Sequence, residues 1–270
     1  DISFASENLM LLNSVAKENE ITVIYDAGVA PGIPNFILGN LNKDQKILSF
    51  QYFVGGLPME PEPPYNYKAP FSPIDVIEEY TRPARMMRNG KILTLPPLSE
   101  IIEKKYHRVG NLEAFNSDGL RSLLTTMGHI PNMLEKTLRY PGHADLIKKE
   151  LKSKKIRPGN KKSLEKLFEN WKLNHGEKEF TILDIKIECE LKNYNYLLYD
   201  QTDDLKSVSS MARTTGYTAT ATVNFLLKKG YNQHGVFPPE IVSGKTDIWI
   251  FINQYLETRG IHISKRTLAK

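Results

Sequence analysis

The stretch DAGVAPGIPNFILGN, residues 26–40, follows the short apolar run ITVIY, residues 21–25, and leads into a second apolar segment. A continuous apolar run of this length is typical of a strand in a sheet that is buried on both faces. Two glycines and a proline stand where the chain turns, and glycine lets another group approach the backbone closely. The stretch therefore predicts strand, bare turn and helix, which is part of an α/β layer. A tight connection with nothing bound to it is the alternative interpretation.

The composition is that of a globular protein with a substantial core. At 270 residues the chain is long enough for one large domain or two smaller ones, and 40% hydrophobic and 25% charged residues are ordinary values. No apolar run approaches the roughly 18 residues of a membrane span, and no signal peptide opens the chain, so no membrane partner is expected. The single cysteine, Cys189, excludes a disulfide within the chain and favours the cytoplasm.

The net charge of +5 comes largely from the segment KKELKSKKIRPGNKKSLEK, residues 148–166. Basic clusters can bind nucleic acid. This one carries no interleaved aromatic residues and belongs to no recognisable nucleic-acid module. A solvated helix face and loop is therefore the favoured interpretation, and no nucleic-acid partner is expected.

The pattern changes after residue 45. The run ILSFQYFVGG, residues 47–56, predicts a strand that stops at its two glycines, and a proline-rich arm follows. Ser72 before Pro73 predicts the start of a helix over IDVIEEY. Asn89-Gly90 predicts the turn of a short hairpin.

The clearest strand pattern is TILDIKIECEL, residues 181–191, in which apolar and charged residues alternate. This alternation predicts an antiparallel strand with one buried and one solvated face, and it places Cys189 in the core. YNYLLYD is expected to form a hairpin with this strand. SMARTTGYTATATVNFLLKKG, residues 210–230, predicts a helix that ends at Gly230. Most of the chain is therefore expected to be a mixed or antiparallel α+β unit.

Standard metal and nucleotide signatures are missing. The six histidines show no metal-ligand spacing, and the sequence contains no HExxH or paired-cysteine motif. GxGxxG, Walker and GxSxG motifs are also absent. The sequence therefore predicts no metal site. If the chain acts in an enzyme, the motif that binds the dinucleotide is not in these residues.

Three polar clusters stand out, and each contains an arginine. They are EAFNSDGLRSLLTTM, TLRYPGHADL and SMARTTGY, with Arg121, Arg139 and Arg213. The forked guanidinium pairs with both oxygens of a carboxylate, so the clusters point to an amino acid or a similar acid. The alternative for the first cluster is a capped helix with a surface ion pair between Asp118 and Arg121, which are three residues apart.

These stretches together resemble the saccharopine dehydrogenase-like family, and most closely its L-lysine 6-dehydrogenase branch. The segments that carry the resemblance occur in the family's order between residues 26 and 240: DAGVAPG, FVGGLP, SPIDVIEEYTRPARMMRNGK, EAFNSDGLRSLLTT, EKTLRYPGHADLIK, SMARTTGY and GVFPPE. The resemblance implies NAD or NADP as cofactor and the oxidation of a C–N bond of an amino acid by hydride transfer, followed by imine hydrolysis. A homodimer is also expected.

The resemblance implies a fold class of α/β plus α+β. Residues 1–44 would be the C-terminal part of a Rossmann-like domain, residues 45–234 a substrate-binding domain, and residues 235–270 a segment that returns to the Rossmann side. The strand and helix that carry the dinucleotide fingerprint are absent from the sequence, and with them the residue that separates NAD from NADP.

The resemblance also suggests which residues form the site. The turn would form a wall against the nicotinamide ring, with Gly28, Val29, Ala30, Pro31 and Gly32. His143 and Asp118 are the candidates for the base that takes a proton from the amine. The candidates for substrate binding are Gly56, Leu57, Arg121, Ser122, Thr125, Tyr140, Arg213 and Thr214.

Two alternatives stay open. Lysine and saccharopine differ in the number of carboxylates that a pocket must neutralise, so the number of arginines that converge on the cavity separates them. A non-catalytic substrate-binding or dimerisation module is the second reading if the chain is complete without a dinucleotide fingerprint.

Overall fold

The structure is a computed structural model that describes residues 1–3, 5, 8–174, 176–229 and 231–269. Its helices are a 3₁₀ turn over Leu9–Leu12, α1 Asn13–Glu18, α2 Ile33–Leu41, α3 Pro73–Thr81, α4 Leu123–Thr126, α5 His143–Lys152, α6 Lys161–Trp171, α7 Ser210–Lys229, α8 Pro239–Lys245 and α9 Ile248–Glu257. Its strands are β1 Thr22–Ile24, β2 Ile47–Pro58, β3 Ala84–Arg88, β4 Lys91–Leu95, β5 Ile102–Tyr106, β6 Gly110–Asn116, β7 Asn132–Arg139, β8 Glu179–Cys189, β9 Lys192–Gln201, β10 Gly235–Phe237 and β11 Ile263–Ala269.

A small parallel sheet joins the two ends of the chain. β1 pairs with β10 in parallel, and α2 packs against α8. The helices approach closely because Gly39 has no side chain: a Cβ there would lie 2.2 Å from the Glu240 carbonyl oxygen. Ser243 Oγ fixes the contact by donating a hydrogen bond of 2.6 Å to the Phe36 carbonyl. This unit is the α/β part of the predicted fold class.

Nine of the described strands form one mixed sheet in the order β11-β9-β8-β2-β7-β3-β4, with β6 also on β7 and β5 on β6. β2 is central, antiparallel to β8 and parallel to β7. The hairpin predicted at Asn89-Gly90 connects β3 and β4, and the predicted partner strand of TILDIKIECEL is β9. The fold class of α/β plus α+β is confirmed.

Helices cover the large sheet on both faces. Phe50 and Tyr52 of β2 belong to a core shared with α2, α7 and α9, whereas Phe53 and Leu57 of the same strand pack with α3, α5 and α6. Because both faces of the sheet are covered, the expectation that the strand TILDIKIECEL has one solvated face is corrected. The first seven residues of β8, 179–185, are all buried, and alternation of buried and exposed residues begins only at Lys186. The charged residue at position 184 is buried because Lys104 pairs with it at 3.0 Å.

Two boundaries differ from the sequence-based expectation. β2 continues through its glycines to Pro58, because Gly55 and Gly56 keep their pairing with β8. The final strand, β11, pairs with β9 of the large sheet and not with the β1–β10 pair. The division at residues 44 and 234 stays a prediction, and the predicted helix end at Gly230 lies outside the described residues. No helix in the described ranges is both long and apolar enough to cross a membrane.

Candidate functional site

The GVAPG turn after β1 closes on itself. Gly28 N–H donates to the Pro31 carbonyl and Ile33 N–H donates to the Gly28 carbonyl, each at 3.2 Å. Gly32 has φ +139°, and a Cβ there would lie 1.9 Å from the Gly28 carbonyl oxygen. Glycine at position 32 is therefore required by the turn itself. The expectation was that Gly32 lacks a side chain so that a cofactor ring can approach the backbone. The structure instead gives the nearby Gly28 carbonyl as the reason.

A cavity of about 220 Å³ lies beside this turn. Its walls come from the turn, from the glycine pair of β2, and from the facing ends of α3, β7 and α7. The turn follows a parallel strand at its carboxyl end, where open α/β sheets bind ligands. The cavity is therefore where the small sheet and the large sheet meet.

Carboxylates outnumber cations around the cavity. Asp26, Asp75 and Glu79 line it, and Arg139 is the one arginine or lysine among the described lining residues. Asp75 makes no ion pair with any described residue. Glu79 pairs with Arg139 at 2.8 Å and Asp26 pairs with Arg121 at 2.6 Å. Asp75 is therefore the carboxylate that gives the cavity a negative balance.

Asp26 presents an unsatisfied oxygen. The residue is 2% exposed, its Oδ2 accepts a hydrogen bond of 2.6 Å from Arg121 Nε, and its Oδ1 has no partner among the described residues. Burial raises the pKa of the Asp26 carboxyl above its usual value, and the Arg121 charge opposes the rise. A buried acceptor without a partner at a cavity wall is suited to an N–H donor of a ligand.

Most N–H donors of the Arg139 guanidinium form hydrogen bonds within the protein. Its Nε donates to Tyr80 Oη at 2.9 Å, Nη1 to the Leu138 carbonyl at 2.9 Å, and Nη2 to Glu79 at 2.8 Å and to Tyr67 Oη at 3.5 Å. A guanidinium has five N–H donors, so one on Nη1 is left for a ligand. Arg139 can donate one hydrogen bond to a carboxylate but cannot hold it with both nitrogens.

Five predicted site residues line the cavity, and the others do not. Those at the wall are Gly28, Val29, Ala30, Pro31 and Gly56. Those elsewhere are Gly32, Leu57, Asp118, Arg121, Ser122, Thr125, Tyr140, His143, Arg213 and Thr214.

The two proposed bases, His143 and Asp118, are both hydrogen-bonded to other residues of the protein. His143 is 2% exposed, with Nε2 2.9 Å from Tyr80 Oη and Nδ1 2.8 Å from the Tyr65 carbonyl. Burial, with the charge of Arg139, lowers the pKa of His143 to about 3. Asp118 accepts hydrogen bonds from Arg85 Nε and Nη2 at 2.9 and 2.8 Å. Neither residue lines the cavity, so the structure does not bring the two predicted bases to it.

The two arginines proposed to grip substrate are paired with protein carboxylates. Arg121 binds Asp26, and Arg213 binds Asp200 and Asp203 at 2.9 and 2.7 Å. The alternative ion pair between Asp118 and Arg121 is not formed either. The segment is not helical there, since Arg121 has φ +46° and α4 begins at Leu123.

The remaining predicted contacts are structural hydrogen bonds or core packing. Tyr140 Oη donates to the Pro58 carbonyl at 2.8 Å, and Thr125 Oγ1 donates to the Ser122 carbonyl at 2.9 Å. Thr214 bonds to its own helix, and Leu57 is fully buried in the core beneath the sheet. The cavity side of α7 is presented by the next residue, Thr215.

Several polar residues of the cavity wall were not predicted from the sequence, namely Asp26, Asp75, Glu79, Thr137 and Thr215. Arg139 also lines the cavity, and it belongs to the cluster TLRYPGHADL that pointed to an acid as substrate. Position signals exist for most of them. Asp26 follows the carboxyl end of a parallel strand, Asp75 and Glu79 are four apart on one helix, and Thr137 and Arg139 are two apart on one strand.

The wall is compatible with one end of a nicotinamide cofactor. Residues 28–31 present a turn with little side chain, and the unsatisfied Asp26 oxygen is an acceptor for an amide or amine N–H. The phosphates would require the glycine-rich turn that this sequence lacks. The described residues therefore fit the ring end of the cofactor and not its phosphates. They contain no cluster of side chains suited to a metal ion.

The fold is that of an α/β protein with a cavity at the carboxyl end of a parallel strand. The chain belongs to the saccharopine dehydrogenase family: the sequence profile described as "Saccharopine dehydrogenase C-terminal domain" matches residues 28–261. Relatives include alpha-aminoadipic semialdehyde synthase from Bos taurus (mitochondrial), 27% identical over 159 residues, and from Arabidopsis thaliana, 28% identical over 166 residues. Each match covers 54% of this chain, but only 17% and 15% of the relatives' length.

Two solved structures share the fold. Saccharopine dehydrogenase (L-Glu forming) from Saccharomyces cerevisiae superposes with a TM-score of 0.76 at 19% identity, covering 99% of this chain and 78% of that one. Homospermidine synthase from Legionella pneumophila, in complex with NAD, superposes with a TM-score of 0.66 at 12% identity, covering 97% and 68%. At these identities the likeness concerns the fold.

Proposed function

We propose that this chain supplies the substrate side of a nicotinamide-dependent oxidoreductase acting on a C–N bond of a basic amino acid such as lysine. Membership of the saccharopine dehydrogenase family supports the reaction class. The observation that carries the substrate class is the charge of the cavity. Of the three carboxylates that line it, Glu79 is paired with Arg139 and Asp26 with Arg121, so Asp75 is left without an ion pair among the described residues.

The charge balance favours lysine over saccharopine. Saccharopine brings more carboxylates than lysine, and each would need a cation or several N–H donors when buried. Among the described lining residues only Arg139 can serve, through one N–H. A substrate with a positively charged amine and a single carboxylate matches Asp75, Asp26 and Arg139 better.

The protein's own residues would bind and orient the amine. Asp75 and the free oxygen of Asp26 accept its N–H groups, and the remaining Arg139 N–H donates to the carboxylate. A nicotinamide, when bound, accepts a hydride from the carbon that carries nitrogen. The amine must lose a proton before this transfer, and water then hydrolyses the imine.

The test is NAD(P)H formation by the full-length protein with lysine or saccharopine and with NAD or NADP. Lysine should be the better substrate. Asp75→Asn should lower kcat/KM for lysine about tenfold or more, because about 1.4 kcal/mol of lost attraction is a factor of ten. Glu78→Gln is the matched control, since Glu78 lies on the same helix, binds Arg82 and does not line the cavity. A preference for saccharopine, or equal effects of both substitutions, would contradict the proposal.

A non-catalytic substrate-binding module is the second candidate, because the sequence has no GxGxxG motif. Lysine binding without turnover in the full-length protein, with both cofactors tested, would establish it. The choice between NAD and NADP and the homodimer remain predictions that the same preparation can test. A cytoplasmic location also remains a prediction.

A further inference from the structure

A buried carboxylate is connected to the cavity by two hydroxyl groups. Glu135 and Thr137 lie two apart on β7, so both side chains emerge from the same face of the sheet. Ser117 Oγ lies 2.8 Å from Glu135 Oε2 and 2.7 Å from Thr137 Oγ1. Glu135 is 3% exposed and does not line the cavity, whereas Thr137 does.

The hydrogen bonds that join Glu135, Ser117 and Thr137 have a defined direction when Glu135 is ionised. A carboxylate only accepts, so the single Ser117 hydroxyl proton must point to Glu135. Ser117 then accepts the hydroxyl proton of Thr137. The Thr137 oxygen keeps its lone pairs, and because Thr137 lines the cavity this oxygen can accept an N–H from a bound ammonium group. The order of atoms is therefore suited to carrying a proton inward.

We propose that Glu135, acting through Ser117 and Thr137, accepts the proton that the substrate amine loses before hydride transfer. This proposal rests on the proposed function. One N–H bond of the ammonium breaks and one O–H bond forms on Glu135, while each hydroxyl passes on one proton and receives another. No electrons are exchanged in this step, and the amine becomes neutral.

The surroundings of Glu135 tune it for this role. Burial raises its pKa to about 8, and the negative charges of Glu79 and Asp118 add to the rise. Hydrogen bonds from Ser117 and from the Gly119 N–H oppose it. Also facing this region, Tyr52 Oη donates to the Gly119 carbonyl, and Lys136 donates to Asn116 and to the Glu100 carbonyl. A base with a pKa near the working pH transfers protons efficiently.

A second trio of the same kind provides a control. Glu179 is 1% exposed and accepts hydrogen bonds from the Ser210 N–H and from Ser210 Oγ, the latter at 2.8 Å. Thr181 Oγ1 lies 2.7 Å from Ser210 Oγ. None of these three residues lines the cavity. If a carboxylate–serine–threonine trio only stabilises the sheet, breaking either trio should have similar effects.

The experiment compares variants of the full-length protein with lysine as substrate. Thr137→Val and Ser117→Ala should each lower kcat on the order of a hundredfold or more with little change in KM, as loss of a base does. Glu135→Gln should do the same and remove the rise of kcat with pH near 8. The double variant Ser117→Ala/Glu135→Gln should lose little more than either single variant, because both break one path. Thr137→Ser should restore turnover, and Thr181→Val should leave kcat unchanged.

A second readout does not depend on turnover. Difference infrared spectroscopy at about pH 9 should show a new protonated-carboxyl band when lysine binds wild-type protein, and no such band in Glu135→Gln or Thr137→Val. Absence of lysine turnover in wild type would overturn the proposed function. Absence of the band, or equal kinetic effects of Thr137→Val and Thr181→Val, would overturn the relay.

Discussion

Asp26 and Arg121 form the most constrained pair of residues at the site. Both have positive φ angles, 53° and 46°, in a region that non-glycine residues adopt at a cost of about 1 kcal/mol or more. Their side chains are 0% and 10% exposed and pair at 2.6 Å. Such conformations persist where the surrounding structure holds them, and they are common at binding sites. The pair therefore fixes the direction of the Asp26 Oδ1 atom, which has no hydrogen-bond partner among the described residues.

Removal of Arg121 should be costly to stability. Arg121→Met leaves Asp26 buried without its charge partner, and breaking such a pair costs about 3–5 kcal/mol. Arg88→Met is the control, because its pair with Glu100 is 45% and 42% exposed and should be worth at most about 1 kcal/mol. The measurement is the free energy of unfolding in urea. Similar losses in the two variants would mean that the Asp26 pair is not buried as described.

His143 should make the protein sensitive to acid. Its pKa is lowered from 6.5 to about 3, so it stays neutral in the fold while the unfolded chain takes up a proton below pH 6.5. Stability is therefore complete above that pH and falls as pH drops, by about 2 kcal/mol between pH 7 and pH 5. His143→Gln should remove this share of the pH dependence. An identical pH dependence of unfolding in variant and wild type would contradict it.

At the scale of elements, the turn between β1 and α2 is a self-contained structure. Its hydrogen bonds run between Gly28, Pro31 and Ile33, and its last glycine has no room for a side chain. The turn was predicted correctly from the sequence, but for Gly32 the reason is the nearby Gly28 carbonyl and not the approach of a cofactor ring. Close packing of backbone on backbone and close approach of a ligand leave the same signature in sequence, namely glycine.

Gly32→Ala should therefore destabilise the fold more than an ordinary left-handed glycine does. A methyl group at Gly32 would collide with the Gly28 carbonyl, so a loss of about 3 kcal/mol or more is expected. Gly90 is the control, because its φ is +72° but nothing lies within 4 Å of a Cβ there. Gly90→Ala should cost about 1 kcal/mol. Thermal and urea unfolding measure both, and equal costs would argue against the closed turn.

Most helices and strands could be predicted from local sequence patterns. Which elements pack over each face of a strand could not. The hairpin at Asn89-Gly90 follows from turn chemistry, and the start of α3 follows from proline at its first position. The Ser72 side chain makes no capping hydrogen bond with the described residues. β8 was expected to have a solvated face, but helices lie on both sides of it. Alternation reports which residues are polar, and a buried ion pair such as Asp184 with Lys104 is invisible in one strand's sequence.

At the scale of the whole molecule, the site is made by the meeting of the small parallel sheet with the large mixed one. Its polar residues come from the turn, α3, β7 and α7, which are far apart in the chain. Residues 28–31 and Gly56, which the family resemblance suggested, line the cavity, but the resemblance did not indicate the partner of each charged residue. Arg121 and Arg213 pair with protein carboxylates, and only the three-dimensional structure shows this.

The central claim is that a C–N carbon of a basic amino acid delivers hydride to nicotinamide in this cavity. The most direct test gives the full-length protein lysine deuterated at Cα or, in a separate sample, at Cε, and analyses the reduced cofactor by mass spectrometry. The account predicts one deuterium in the reduced nicotinamide from one of the two samples and none from the other. Reduced cofactor without deuterium from either sample, or reduction with saccharopine alone, would contradict it.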